Sequence, residues 1–358
     1  MLKEQRNKSN RVSLKDIAAA LGISKGAVSL ALNNSQKISE NTKQLVKKTA
    51  SKMEYHKSAL LSNVMSSIKS ENRKNYLETI VLINANRSKQ AQEKYPIFSK
   101  YISGIKTEAE HLGYGVYMVW LHEMSLTQER LKEILESRAI RGGVIIGHAD
   151  DNILPEKFSE IWKNFKFVSA GLRTANPIFD FISADKFLIA HHATTKVIKS
   201  GYKRPAIVMD EHIDELVEGR FIGGFLRAQL ILPEKSRVPP FLKVKEARSN
   251  PKIFSNWLKK YNPDAIFSIS SATNEWLESP KIAAQITPET NIIKLERKSD
   301  ENDWIAIDSN YEIVGKLAVR KLFEILNAPT RLEDMNITTA TIVQPRWNKN
   351  LDIPKLKR

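Results

Sequence analysis

One helical face between residues 25 and 33 combines small, hydroxyl-bearing, basic and apolar side chains. Its outward positions are Lys25, Gly26, Ser29 and Leu30. A hydroxyl or ammonium group donates hydrogen bonds to phosphate oxygens, and a small residue lets a helix approach a base edge closely. The chemistry available here is noncovalent recognition of a polyanion.

The elements that must position this face are two short amphipathic helices within residues 13–33, joined at 21–24. Their apolar stripes are Leu14, Ile17, Ala18 and Leu21, and then Val28, Ala31 and Leu32. Gly22 can end the first helix in the left-handed conformation, and Ser24 is a good N-cap for the second. The spacing predicts a helix-turn-helix. An ordinary helical hairpin has the same hydrophobic pattern, so both interpretations stay open on spacing alone.

Charge favours a nucleic-acid partner. The 358-residue chain has a formal net charge of +16. Residues 1–75 contain 15 Lys and Arg against 5 Asp and Glu, and thus hold most of the excess. A basic segment of this kind attracts polyanions, although a solvated basic surface has the same composition.

Composition also argues against several classes. The chain has no cysteine, which excludes disulfides, thiolate metal sites and thiol nucleophiles. It lacks a bilayer-length apolar run and a signal-peptide pattern, so we expect a cytoplasmic, nucleoid-associated protein without membrane partners.

No Walker loop, dinucleotide fingerprint or nucleophile elbow occurs. The pair His191-His192 lacks metal-ligand spacing and is interpreted as surface or lobe-interface residues. We therefore expect no enzyme activity and no cofactor.

The remaining pattern predicts several regions in order. Residues 1–11 form a basic tail, a third helix spans 40–54 with Ser39 as its N-cap, and 58–75 contain a marginal amphipathic segment and a linker. From residue 76 onward, short apolar strands alternate with helices, which predicts doubly wound parallel sheets. The pattern restarts near residue 181 and so indicates two lobes with a cleft between them.

In this order the elements resemble the lac repressor/galactose repressor family of bacterial transcription regulators. The resemblance rests on residues 12–18, 22–24, 27–29, 32–33 and 38–42, followed by Tyr55 and Ser58-Ala59-Leu60. Weaker echoes occur at 142–146, 200–207, 263–267 and 342–346. The resemblance implies an all-α headpiece (12–57), a hinge helix and linker (58–75) and a two-lobed periplasmic-binding-protein-like core (76–358). Its lobes would take about 76–183 with 306–337, and about 184–305 with 338–358.

The resemblance also implies DNA-contacting positions. Phosphate contacts or head orientation would fall to Ser13, Ser24, Ser29, Asn33, Lys37, Ser39, Thr42 and Tyr55, and Leu14 belongs to the same interface. Base contacts would fall to Lys25, Gly26 and Leu30, although a lysine at the position of Lys25 more often faces phosphate or solvent. Leu30 replaces a residue that is often arginine and cannot make a bidentate contact to guanine.

In the hinge, Val64 matches the position from which the family inserts a leucine into the minor groove at the operator centre, and Leu61 is also expected to contact DNA. Valine is shorter and β-branched, so we expect a shallower wedge. A plain linker is the alternative interpretation of this segment.

The effector-binding residues implied by the resemblance are Arg220, Ser270, Ser271 and Glu296. Gly171 stands where an aspartate is common, and the two serines replace an Asn-Asp pair. Arg220 could clamp a carboxylate or hydroxyl groups, or be a surface helix residue. An ordinary hexose is therefore less favoured than it is for a typical member of the family, and a sugar acid, an oligosaccharide or an atrophied pocket stays open.

The expected function is a sequence-specific transcription regulator, a repressor, that binds a pseudo-palindromic double-stranded operator as a homodimer. A small sugar-like effector between the lobes would modulate its operator affinity. The alternative is a small-molecule binding protein with a vestigial DNA-binding head.

Overall fold

A computed structural model describes residues 14–32, 37–53, 78–94, 96–148, 152–269, 271–295, 307–327 and 337–347. The described helices are α1 (Leu14–Leu21), α2 (Lys25–Leu32), α3 (Glu40–Lys52), α4 (Ala91–Lys94), α5 (Pro96–His111), α6 (Gln128–Ser137), α7 (Ser159–Asn164), α8 (Lys186–Lys199), α9 (Glu211–Leu216), α10 (Arg220–Gln229), α11 (Val244–Ser249), α12 (Lys252–Tyr261), α13 (Ser271–Glu278), α14 (Pro280–Ala283) and α15 (Tyr311–Asn327). Short 3-10 turns lie at Glu156–Phe158 and Glu234–Ser236.

The described strands are β1 (Glu78–Asn84), β2 (Tyr114–Trp120), β3 (Gly142–Ile146), β4 (Lys166–Ala170), β5 (Asp180–Ala184), β6 (Pro205–Val208), β7 (Ala265–Ser268), β8 (Asn291–Lys294), β9 (Ile307–Asp308), β10 (Ala340–Val343) and β11 (Arg346–Trp347). The chain divides into two compact units, residues 1–75 with 323–337, and 76–322 with 338–358. The first contains the three-helix head, α1–α3. The second contains both parallel sheets.

The first sheet has six strands in the order β10-β5-β4-β3-β1-β2, and every neighbouring pair is parallel. One face is covered by a fully buried apolar cluster that includes Val81, Leu131 and Phe158 from β1, α6 and the turn before α7. Parallel strands bury both faces and therefore consist of nearly continuous apolar residues. This explains why β3 is buried at every position.

The second sheet contains β6, β7 and β8, again all parallel. Its core is rich in aromatic rings. Phe254 stacks on Trp257 with ring centroids 5.7 Å apart, and Phe241 packs against Trp276 at 6.3 Å. Trp276 and Trp162 are thus core residues of the second and first lobes.

One sequence-based boundary is wrong. Residues 338–358 were expected in the second lobe, but β10 pairs with β5 from Ala340↔Phe181 to Val343↔Ala184. The short strand β11 pairs antiparallel with β9 and joins neither large sheet. A four-residue strand of this composition fits the edge of either sheet, so the sequence alone did not identify its partner.

Helices α8 and α10 approach each other closely at one glycine. A Cβ atom on Gly224 would clash with the carbonyl oxygen of Phe187 and lie 3.1 Å from the amide nitrogen of His191. On Gly223, the preceding residue, it would lie 3.8 Å from the Phe187 ring, an ordinary contact. Of these two glycines, only Gly224 is therefore needed for the close approach of α8 and α10.

We expect Gly224→Ala to lower the free energy of unfolding by about 1–3 kcal/mol, because the added methyl group forces two backbones apart. Gly223→Ala is the matched control on the same helix and should be neutral or stabilising by up to about 1 kcal/mol, since alanine favours helix. Urea unfolding of both variants measures the difference. Equal stabilities of the two variants would contradict the close approach.

His191 lies in the same region. Its ring stacks on Phe187 with centroids 5.8 Å apart and packs edge-on against His192. Burial, followed by the nearby charges of His192 and Arg227, lowers the pKa of His191 below its ordinary value. The residue thus belongs to the α8–α10 contact within the second lobe.

Because the pKa of His191 is lower in the folded state than in the unfolded state, its stabilising contribution is present above about pH 6.5 and is lost as pH falls through the folded-state pKa. His191→Gln should therefore lose less stability than the wild type between about pH 7 and 5. The same change at exposed His111, at the end of α5, should keep the wild-type slope. Denaturant unfolding across this range tests the prediction, and parallel curves for His191→Gln and wild type would refute it.

Candidate nucleic-acid interface and effector cleft

The head is closed by a small apolar core. Ile17, Val28, Ala31 and Val46 are fully buried where α1, α2 and α3 meet, and partly buried Leu14 packs against them. Burying these side chains stabilises the three helices, which are each too short to be stable alone. The predicted apolar stripes of α1 and α2 are confirmed, and α2 is held with its other face outward.

The turn between α1 and α2 has the predicted local chemistry. Gly22 adopts a φ of +64°, and the amide of Ile23 donates to the carbonyl of Ala18 at 3.1 Å. The Ser24 hydroxyl accepts a hydrogen bond from the amide of Ala27 at 3.1 Å. This N-cap fixes the residue at which α2 begins.

The outward face of α2 carries the predicted recognition residues. Lys25 and Gly26 are exposed, and Leu30 has 39% of its surface accessible. A Cβ atom on Gly26 would lie 3.7 Å from the Ser24 hydroxyl, so this surface is open. The leucine is therefore available for an apolar contact outside the head.

The N-terminus of α3 provides a second polar edge. Ser39 Oγ accepts from the Thr42 amide at 3.3 Å and lies 2.8 Å from Thr42 Oγ1. Lys43 is mostly buried and its Nζ lies 3.0 Å from Glu40 Oε2, which the sequence did not predict. Lys37 is exposed just before the cap. Helix N-termini favour anions because their amides are unpaired and the helix dipole is positive there.

Several predicted DNA-binding residues lie outside the described residues. These are Ser13, Asn33, Tyr55, Leu61 and Val64, together with the basic tail and the whole hinge segment 58–75. Ser29 belongs to α2. The described part of the predicted interface is the face formed by α2 and the N-terminus of α3.

In the core, Gly171 stands where the family commonly has an aspartate, and its surroundings leave little room for a side chain. Gly171 has a φ of +95°, and a Cβ atom there would lie 2.8 Å from the Tyr101 hydroxyl. Its carbonyl oxygen accepts hydrogen bonds from Lys186 Nζ at 2.8 Å and Ser183 Oγ at 2.9 Å. The Tyr101 ring thus fills the space into which a side chain at 171 would extend.

Arg220 is partly exposed and ion-paired. Its Nη2 and Nε atoms lie 3.1 Å and 3.3 Å from Oε2 of Glu218, two residues earlier. The other carboxylate oxygen of Glu218 lies 3.2 Å from Nε of Arg173, in the loop after β4. Among the other predicted cleft residues, Ser271 begins α13, whereas Ser270 and Glu296 lie outside the described residues.

Polar residues that the sequence analysis missed lie at the carboxyl ends of β1 and β2. The Asn84 side chain accepts from the Asn86 amide at 3.0 Å, and Trp120 Nε1 donates to the Asn86 carbonyl at 2.9 Å. His122 Nε2 lies 3.0 Å from the Ala85 carbonyl. The signal was available, because ligands of open α/β sheets bind beyond the carboxyl ends of the strands.

The second lobe contains two buried polar atoms, one of them at the carboxyl end of β7. Ser268 Oγ, at the end of β7, and Asn274 Oδ1, on α13, have no hydrogen-bond partner within the described part of the chain. Both residues are more than nine-tenths buried. Buried polar atoms are normally satisfied, which makes this edge a candidate for a bound polar molecule.

Two other kinds of site are absent from the described residues. Over the described ranges, no group of three or more His, Asp or Glu side chains could hold a metal ion. None of the described helices is long and apolar enough to cross a bilayer.

Two protein-family models match the two parts of the chain. Bacterial regulatory proteins of the lacI family match residues 13–58, and the periplasmic binding proteins and sugar binding domain of the LacI family match 89–236. The HTH-type transcriptional regulator MalR of Streptococcus pneumoniae is 22% identical over 324 residues, covering 88% of this chain and 93% of that protein. The regulator CelR of Thermobifida fusca is 20% identical over 55% of each chain.

Solved structures agree on the fold. A transcriptional regulator CelR–cellobiose complex has a TM-score of 0.55 at 16% identity and covers 94% of this chain and 98% of that one. A lac repressor dimer bound to operator has a TM-score of 0.52 at 12% identity, with 94% and 97% covered.

A helix-turn-helix head followed by a periplasmic-binding-protein-like core defines a DNA-binding transcription regulator. The chain belongs to the lacI family of bacterial regulatory proteins. The curated relatives named above are transcription regulators, and none is named as an enzyme.

We expect Ser24→Ala to weaken the start of α2 by about 1 kcal/mol, because the amide of Ala27 loses its acceptor. Hydrogen–deuterium exchange of the first α2 amides, without DNA, should become roughly five-fold faster. Ser24→Asn is the control that retains a capping oxygen and should exchange like the wild type. Unchanged exchange in Ser24→Ala would contradict the capping role.

Proposed function

We propose that this protein is a repressor that binds a pseudo-palindromic operator as a homodimer and responds to a small carbohydrate effector in the cleft between its lobes. The observation that carries the proposal is the exposed face of α2 on a closed, capped three-helix head. Two-fold pairing would place two such heads in successive major grooves.

Within this proposal, Gly26 lets α2 approach the base edges and Leu30 contacts a thymine methyl group. Lys25 contacts phosphate. Further phosphate contacts or head orientation fall to Ser13, Ser24, Ser29, Asn33, Lys37, Ser39, Thr42 and Tyr55, while Leu14 lies at the same interface. Leu61 and Val64 act in the minor groove at the operator centre.

The proposal is tested by selecting genomic fragments with the purified full-length chain and measuring binding by fluorescence anisotropy. A site-selective complex should form, and its affinity should fall steeply between about 50 and 200 mM salt as counterions are released. Binding without sequence preference would overturn the regulator proposal.

Lys25→Ala should weaken binding to all sequences similarly and reduce the slope of log affinity against log salt by roughly one unit. Lys163→Ala removes an exposed lysine of the core, paired with Glu160, and should leave the slope unchanged. A loss of sequence discrimination in Lys25→Ala would assign that lysine to base recognition and contradict its phosphate role.

Leu30→Ala should instead reduce discrimination at one base pair of each half-site, with the salt slope retained.

A carbohydrate effector is supported by the sugar-binding-domain match and by the polar groups at the strand ends, including Asn84, Asn86 and Ser268. CelR has been solved in complex with cellobiose, so a disaccharide is the first probe for this chain. Cellobiose, other disaccharides and sugar acids can be compared by thermal shift, because a ligand of the folded state raises stability. A ligand that binds but leaves operator affinity unchanged would refute effector control.

The alternative, a small-molecule binding protein with a vestigial head, is less well supported. The exposed face of α2, with Lys25, Gly26 and Leu30 directed outward from a closed head, supports DNA binding over a vestigial head. Failure of every DNA test combined with tight carbohydrate binding would favour this alternative.

A further inference from the structure

We propose that Glu218 is a lobe-bridging carboxylate that favours the closed arrangement of the core through Arg173. Arg173 lies between β4 and β5 of the first lobe, whereas Glu218 lies between α9 and α10 of the second. Their ion pair thus joins the two lobes. The inference concerns the core alone and goes beyond the DNA-binding proposal.

The geometry places one carboxylate between two guanidinium groups. Oε1 of Glu218 lies 3.2 Å from Arg173 Nε, and Oε2 lies 3.1 Å from Arg220 Nη2. The Arg220 contact lies within the second lobe and orients the carboxylate. The Arg173 contact is the one that would break if the lobes separated.

The backbone at Glu218 is unusual for its residue type. Glu218 has a φ of +57° and Gly219 a φ of +68°. The amide of Gly219 donates to the carbonyl of Asp214 at 2.9 Å, which fixes the turn. A non-glycine residue in the left-handed region is costly and tends to persist where its side chain has a role.

A second contact joins the lobes at the same turn. Asn152 Nδ2 donates to the Leu216 carbonyl at 3.1 Å. The first-lobe partners are themselves connected, because the amide of Ala175 donates to the Asn152 carbonyl at 2.6 Å. Asn152 and the loop that carries Arg173 are thus hydrogen-bonded to each other, and both contact the turn between α9 and α10.

The Arg173 side chain is also held in place. Its guanidinium lies 4.8 Å from the centroid of the Phe181 ring, a cation–π contact within the first lobe. Arg173 and Glu218 have 42% and 39% of their side-chain surface exposed. A partly hydrated ion pair is weak enough to be reversible, so it biases the closed arrangement without locking it.

The closed fraction can be measured by distances between spin labels, since the native chain has no cysteine to interfere. Exposed Lys106 on α5 and Lys259 on α12 are suitable positions for paired cysteines in the two lobes. We expect Glu218→Gln and Arg173→Gln each to raise the open-to-closed ratio roughly two- to five-fold. The double variant should shift the ratio no further than either single variant, because both changes remove one contact.

Two further variants separate bridging from general effects. Glu218→Gly removes the carboxylate but suits the positive φ, so it should open the lobes without loss of thermal stability. Glu160→Gln breaks an exposed ion pair within the first lobe and should leave the distances unchanged. Distance distributions of Glu218→Gln and Arg173→Gln that match the wild type would overturn the proposal, and so would additive shifts in the double variant. These readouts require no DNA, so they can fail independently of operator binding.

Discussion

The two-lobed core depends on the hydrogen bonds that two aspartates make at the two ends of β5. Near its start, the Asp180 carboxylate accepts hydrogen bonds from the amide and hydroxyl of Thr339, which aligns β10 beside it. After its end, the Asp185 side chain accepts from the amide of Leu188 and begins α8 in the second lobe. The residues at the two ends of β5 thus position β10 beside it and start α8 in the second lobe.

This arrangement explains which parts of the fold could be predicted. The head was accessible from sequence because its determinants are local: the Leu14 stripe, the positive φ of Gly22 and the Ser24 and Ser39 caps all lie within one or two helical turns of their partners. The pairing of β10 depends instead on Asp180, 159 positions from Thr339. No local pattern specifies such a contact.

The cleft illustrates the same limit. The family resemblance indicated that Gly171 replaces a common aspartate and that Arg220 has two possible roles. It did not indicate which residues the fold places beside them. The Tyr101 ring replaces a side chain at 171, and Glu218 pairs with Arg220 through a backbone conformation that glutamate seldom adopts. The polar residues after β1 and β2 could have been found, because strand ends are visible in the hydrophobic pattern.

Tyr101 has a further role through its position on α5. Besides filling the space beside Gly171, its ring packs edge-on against Tyr311 with centroids 5.4 Å apart, and its backbone lies against Gly315 of α15. The position of Tyr101, and with it the space beside Gly171, is therefore set by a helix late in the sequence. If the proposed effector binds beside Gly171, substitutions on α15 would alter its selectivity without touching it, and a comparison restricted to effector-contacting residues would overlook them.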